Sequence, residues 1–310
     1  MHIPRAFIAL LSFGMACSGC GPFIAYDGQG PGSGATLAPL DDFPEVTALN
    51  HLGLAAIVAE FTTISPDEMS VALDYTRLSQ DEEALFILDQ YLASMAAVDP
   101  SALEGVDERR AYWINAYNAG VIRGVIDGFG GDLSWSVLDE PGFFTQPRFI
   151  FGGVSFSLDQ VEHAVLRVGV DDDRVRAALE LAPEVDREKM RRWGAEAFPD
   201  GDFDARIHAA INCGAISCPN LWGTSPYTLR GDVLDEQLDV AVQMWLADPD
   251  KGAGPDGISR LFDWFGVDFV AEAGSIDAWI EEHRVGGLEG VDTDTFFTYD
   301  WALNATPAAP

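Results

Sequence analysis

Residues 111–122 read Ala-Tyr-Trp-Ile-Asn-Ala-Tyr-Asn-Ala-Gly-Val-Ile. The stretch is apolar nearly all round, and a helix of that kind belongs inside a core rather than on its surface. It predicts a central helix over 107–128 around which the rest of the chain packs. Two amides interrupt it. Asn115 and Asn118 stand three residues apart and share a helix face. A buried amide without partners costs on the order of 1–3 kcal/mol, so both must be satisfied. Either they bond loop backbone and fix the fold, or one of them orients a catalytic histidine or a ligand.

Helix signals continue on both sides. Ser65-Pro66-Asp67-Glu68 has the form of a capping box with Pro at the first helical position. Ser79-x-x-Glu82 is a second box, followed by a stripe of Leu85, Leu88, Leu92 and Met95. Ser157-x-x-Gln160 opens a third helix, with Leu158, Val161, Val165 and Val168 on one side. Further helices are expected at 171–182, 231–247 and 274–284. Strand signals are fewer. Arg148–Ser157 alternates around a Gly-Gly turn, and Arg206–Cys213 alternates with Ile207, Ala209 and Ile211 on one face. The pattern is that of a helix-rich α+β single domain with a small β-sheet, over residues 45–304. The aromatics around Phe262–Phe269 and Phe296–Trp301 are expected in the core, with a contact surface as the other reading.

The N-terminus reads differently. Residues 1–20 have one firm positive charge, Arg5, an apolar run from Ala6 to Ala16, then Ser18, Gly19 and Cys20. That run is too short to span a bilayer and has the order of a cleaved signal peptide. Its small-small-Cys ending resembles a bacterial lipobox, with Cys20 as the acylated residue and Cys17 as a second acceptor. An ordinary secretory signal is the alternative. The expectation is an exported lipoprotein of the cell envelope, tethered to a membrane rather than spanning it. Residues 21–44 hold five Gly and four Pro and read as a flexible tether, and 305–310 as a short tail. The formal net charge is −32, with two Lys among the 18 basic residues, so neither nucleic acid nor anionic lipid headgroups are partners by charge.

Of four cysteines, two belong to the signal region, leaving Cys213 and Cys218 for the mature domain. Export puts them where disulfides persist. Three readings of this pair stay open. They form a disulfide, or they join His208 and His163 in a metal site of no recognisable zinc spacing, or Cys213 is a nucleophile. His208 faces Asn212 if 206–213 is helical and points away from Cys213 if it is a strand, so it is not the natural base for that thiol. His163 is the best base available elsewhere. It shares a face with Gln160 and Arg167, opposite the apolar stripe, which is either solvated or lines a cleft. Gly214 allows a sharp turn that exposes the Cys213 sulfur. No cofactor motif is present.

The blocks AYWINAYNAGVI, SLDQVEHAVLR, RIHAAINCGAISCPNL with Pro226-Tyr227, ISRLFDWFGVDF and YDWALN together resemble the family called domain of unknown function 547, in the family's order and over roughly 70–304. The resemblance implies exported or lipid-anchored bacterial relatives and gives weight to Glu162, His163 and Cys213. It also implies that the second cysteine, here Cys218, is replaceable by Ser, which argues against an essential bridge. Asp204-Ala205-Arg206 stands where the family usually has Asp-Pro-Arg. A thiol-protease-like arrangement, and with it a papain- or transglutaminase-like relation, is an implication of that pattern. On this reading Cys213 is the nucleophile, His163 the base and Glu162 the acid, supported by Asn115, Asn118, His208, Asn212 and Cys218. Neighbours on an α-helix diverge by about 100°, so Glu162 is awkwardly placed to orient His163. N–H groups of Cys213–Ala215 are expected to form an oxyanion hole. The alternative is a non-enzymatic surface protein that binds a peptide, a small thiol or a partner, with Cys213 and Cys218 bridged.

Overall fold

The computed structural model describes residue 49 and residues 51–65, 70–201, 203–221 and 231–306. The signal segment with Cys20, the tether 21–44, Pro66-Asp67-Glu68 and Pro226-Tyr227 lie outside them. The described elements run α1 (Leu52–Phe61), β1 (Thr62–Ile64), β2 (Val71–Leu73), α2 (Tyr75–Gln80), α3 (Glu82–Ala97), α4 (Val106–Phe129), β3 (Phe149–Phe151) and β4 (Val154–Phe156). A π-helical segment, Gln160–Leu166, follows. Then come α5 (Asp173–Glu180), α6 (Glu184–Ala197), α7 (Gly231–Ala247), β5 (Ala253–Gly254), β6 (Gly257–Ile258), α8 (Arg260–Trp264), α9 (Gly266–Ala273) and α10 (Ile276–His283). The chain is helix-rich α+β. Its β-structure is not one sheet but separate antiparallel pairs, β1–β2, β3–β4 and β5–β6. Among the described residues no helix is long and apolar enough to cross a membrane.

Helix α4 is the centre. Every residue from Ala111 to Ile122 is buried, as an all-round apolar helix demands. Trp113 anchors it: its ring lies 5.3 Å from Phe156 and 5.7 Å from Trp193, centroid to centroid, in tilted packings. Gly120 lets the β3–β4 hairpin and the following helix close on α4, because a Cβ there would sit 2.9 Å from Leu158 Cδ2 and 3.3 Å from the Phe149 ring. A second apolar cluster gathers α7 to α10. Trp245 and Phe262 stack at 5.0 Å, and Phe269 meets Trp279 edge-on at 4.8 Å.

Several expectations are met. Helices 107–128, 171–182, 231–247 and 274–284 are present to within a few residues. The Ser157 capping box forms in both directions: Ser157 N–H donates to Gln160 Oε1 at 2.9 Å, and Gln160 N–H to Ser157 Oγ at 3.2 Å. Gly152 and Gly153, at φ 58° and 74°, turn the β3–β4 hairpin.

Others are corrected. The first turn of the helix expected to open at Ser65 lies outside the described residues, and the chain is a strand by Val71. Ser65 N–H donates to Ser70 O at 2.8 Å, and β2 follows where that helix would have run. Ser79 does not cap α3. It ends the short α2, and the Asp81 carboxylate accepts from Ala84 N–H instead. A carboxylate at an N-cap adds favourable charge to the same hydrogen bond, so Asp81 is the better cap. The strand expected at Arg206–Cys213 is a 3-10 turn, Ala205–Ala209, with Asp204 as its cap. Its alternation misleads because Ala205 and every residue from Ile207 to Asn212 are buried, on both faces. Arg206 escapes sideways into the carboxylates of Asp204, Asp235 and Asp239 at 2.8, 2.7 and 2.6 Å.

Candidate active site

The loop after the 3-10 turn is shaped by two amides. Asn118 of α4 donates from Nδ2 to Ala210 O and accepts from Asn212 N–H, both at 2.9 Å. Asn212 in turn donates to Pro219 O at 2.6 Å and accepts from Gly214 N–H at 2.9 Å. Gly214 takes φ 86°, a left-handed turn that a side chain would strain. Asn118 thus has the loop-fixing role. Asn115 lies one turn away, 1% exposed in the core. From the far side the C-terminal segment clamps the loop: Ile216 N–H donates to Ala302 O and Asn304 N–H to Gly214 O, at 2.9 and 2.8 Å.

This frame presents the Cys213 thiol to a cavity of about 280 Å³. Cys213, Cys218, His163, Glu162 and His208 all line it. Cys213 and Cys218 are free thiols, so the bridge among the sequence readings is not formed. Cys218 Sγ accepts the Cys213 N–H at 2.9 Å, and Tyr299 Oη lies 3.1 Å from Cys213 Sγ. Burial pushes the Cys213 thiol up. Hydrogen bonds from Cys218, Tyr299 and the Ala215 N–H outweigh it and leave the thiol below its usual pKa. Cys218 goes the other way, pushed well up by burial and by the neighbouring sulfur.

The opposite wall is the π-helical segment, all of it buried. In a π-turn Arg167 N–H reaches back five residues, to Glu162 O at 2.9 Å, and the widened turn leaves Glu162 and His163 both on the cavity. Of the two readings of this face, solvated or lining a cleft, the second is observed: Gln160, His163 and Arg167 are 1%, 7% and 0% exposed, and His163 lines the cavity. What permits a buried Arg167 is Asp268 of α9, which accepts Nε at 2.7 Å and Nη2 at 3.1 Å. His208 Nε2 joins the same carboxylate at 2.8 Å, while its ring stacks on Phe265 at 4.5 Å. His208 thus belongs to a charge network rather than to Cys213.

His163 Nδ1 lies 3.3 Å from Arg167 Nη1 and 3.8 Å from Glu162 Oε1. A guanidinium has no lone pair to offer, so Nδ1 accepts and the neutral ring carries its proton on Nε2. Burial first, then Arg167, Arg174 and His208, lower the imidazole to about 3. His163 makes no hydrogen bond to the Cys213 sulfur. The expected base is thus, in this arrangement, a neutral N–H donor. Glu162 moves oppositely. Burial, then Asp159, push its carboxyl up to about 8, against Arg167 and a hydrogen bond from Tyr117. The expected oxyanion hole is also spent: Cys213 N–H serves Cys218 Sγ, Gly214 N–H serves Asn212, and Ala215 N–H serves the Cys213 sulfur. Among the described residues no cluster of three or more His, Cys, Asp or Glu could hold a metal ion.

Sequence reasoning missed Tyr299, Trp264, Phe265, Trp301, Arg174 and Asp268. The aromatics assigned to the core divide: Phe262 and Phe269 are core, while Trp264, Phe265, Tyr299 and Trp301 line the cavity. The ISRLFDWFGVDF and YDWALN blocks, and the contact-surface reading of these aromatics, are the signals in the sequence.

Residues 100–246 match the model of the family described as "Protein of unknown function, DUF547". The family resemblance holds over that stretch, which carries α4, the π-helical segment and both cysteines but not Tyr299. No curated protein and no solved structure matches the chain.

Proposed function

We propose that this protein is a thiol-dependent hydrolase or acyl transferase in which Cys213 is the nucleophile. The observation that carries this is an acidified, half-buried thiol in the wall of an aromatic cavity, with a tyrosine hydroxyl at 3.1 Å and its neighbouring cysteine unbridged. A thiolate made by hydrogen bonding needs no histidine to take its proton. Glu162, holding its proton to about pH 8, is suited to protonate a leaving group. His163 Nε2–H is suited to donate to a developing oxyanion, the task the loop N–H groups do not take up. Export and attachment to the envelope membrane through a lipid on Cys20 complete the proposal. They rest on the signal-like first twenty residues, and mass spectrometry of the mature N-terminus tests them.

The mature protein treated with iodoacetamide at pH 6 tests the thiol. Fast alkylation of Cys213 without reductant is expected. Alkylation of neither cysteine until reductant is added would overturn the proposal in favour of a bridge. The engaged loop N–H groups favour a second reading, a site that captures an acyl group without turning it over. A p-nitrophenyl ester separates the two, since an enzyme releases many equivalents of nitrophenol and a trap releases one.

A further inference from the structure

Arg174 of α5 lines the same cavity, with 45% of its side chain exposed. Its Nη1 donates to Trp264 O at 2.8 Å and lies 3.7 Å from Asp172 Oδ2, and its guanidinium sits 5.2 Å from the Phe265 ring centre. Nε and Nη2 make no hydrogen bond among the described residues. Arg167, the other nearby guanidinium, is consumed by Asp268. Neither carboxyl that lines the cavity forms an ion pair with Arg174, and burial raises both, Asp159 as well as Glu162. Its ion pair with Asp172 runs through Nη1, so on a chain of net charge −32 the cavity offers two unengaged N–H donors of a guanidinium to what enters it. Beside it stands a flat apolar wall: Trp264 and Trp301 stack at 5.8 Å and 25°, with Tyr299 4.8 Å from Trp264.

We propose that the cavity selects carboxylate-bearing acyl compounds, with the carboxylate on the free edge of the Arg174 guanidinium and an apolar group on the Trp264–Trp301 wall. A planar carboxylate accepts two parallel N–H bonds from such an edge, which a neutral amide cannot. The proposal rests on the nucleophile reading only for the word acyl, because the selection for a carboxylate is a property of Arg174 and the aromatic wall.

The test compares phenylacetate with phenylacetamide, two probes that differ only in the charged group. Binding to the intact mature protein at pH 7 is followed by tryptophan fluorescence and by calorimetry. Phenylacetate is expected to bind roughly tenfold tighter than phenylacetamide, and Arg174→Gln to erase that preference. Arg174→Lys is expected to retain part of it. Equal binding of the two probes, no saturable binding by either, or an equal loss in the Gln and Lys variants would each overturn the proposal. Failure of the nucleophile reading shows separately, as a Cys213 alkylated no faster than free cysteine.

Discussion

The two walls of the cavity are built on opposite principles. The π-helical wall holds full charges deep in the protein: Arg167 and Asp268 are 0% and 2% exposed, and His208 joins them. The cysteine loop carries no full charge of its own and is held by amides, backbone and a tyrosine. The wall with charges ends up with a histidine that stays neutral down to about pH 3, held there by burial first and then by Arg167 and Arg174. The wall without them ends up with the acidified group. Acidity in this site follows where donors are aimed, not where charge is stored.

That contrast can be broken in order of expected effect. Asp268→Asn removes the only carboxylate within hydrogen-bond reach of both Arg167 and His208 among the described residues. Arg167 then keeps only Asp172 Oδ2, at 3.3 Å from Nη2, and the loss is about 3 kcal/mol in urea unfolding. A loss under 1 kcal/mol would mean that the charged wall is not a locked unit.

The second effect is a pH slope. Glu162 binds its proton more tightly folded than unfolded, so its contribution is lost as pH rises from its ordinary 4.5 towards about 8. His163 binds its proton less tightly folded, so its contribution is full above 6.5 and lost as pH falls towards about 3. Below pH 6.5 the two oppose each other. Between 6.5 and 8 Glu162 contributes a fall of about 1.4 kcal/mol per pH unit, which the acidified Cys213 opposes because the fold binds its proton less tightly. Glu162→Gln removes the falling contribution, so the slope of stability against pH in this window becomes more positive by about 1.4 kcal/mol per pH unit in denaturation series. An unchanged slope in that variant would place the titration elsewhere.

The third effect sharpens the account of the thiol. Tyr299→Phe deletes one donor to the Cys213 sulfur and raises the thiol by about one pKa unit, a change of about 1.4 kcal/mol. The pH–rate profile of iodoacetamide alkylation reads it directly. Cys218→Ala, which also deletes a donor, moves the same profile in the same direction. If neither variant moves it, the acidity does not come from these hydrogen bonds.

Local signals carried the fold well. The α4 core helix, the Ser157 box and the Gly152–Gly153 turn depend on residues close together in sequence, so a short window holds all the physics. The site depends on distant partners. Gln160, His163 and Arg167 have the spacing of a solvated face. The other reading of that spacing, a face that lines a cleft, holds because Asp268, 101 residues from Arg167, neutralises the buried guanidinium. Tyr299 meets Cys213 across 86 residues. Both long-range partners sit outside the local window from which periodicity is read. Cys213, His163 and Glu162 were legible as types that carry chemistry, and one cavity does receive all three. Their protonation was not legible, because it is set by neighbours the sequence keeps far apart.

The clamp between the C-terminal segment and the cysteine loop has a consequence in time. Tyr299 follows Cys213 by 86 residues, so synthesis passes the thiol well before it supplies that donor. Until the C-terminal segment docks, Cys213 lacks its tyrosine donor and the loop lacks its outer support. A chain in which that segment has not docked therefore carries a less acidic, slower thiol. The full set of donors to that sulfur is assembled only when this distant segment folds back onto the loop.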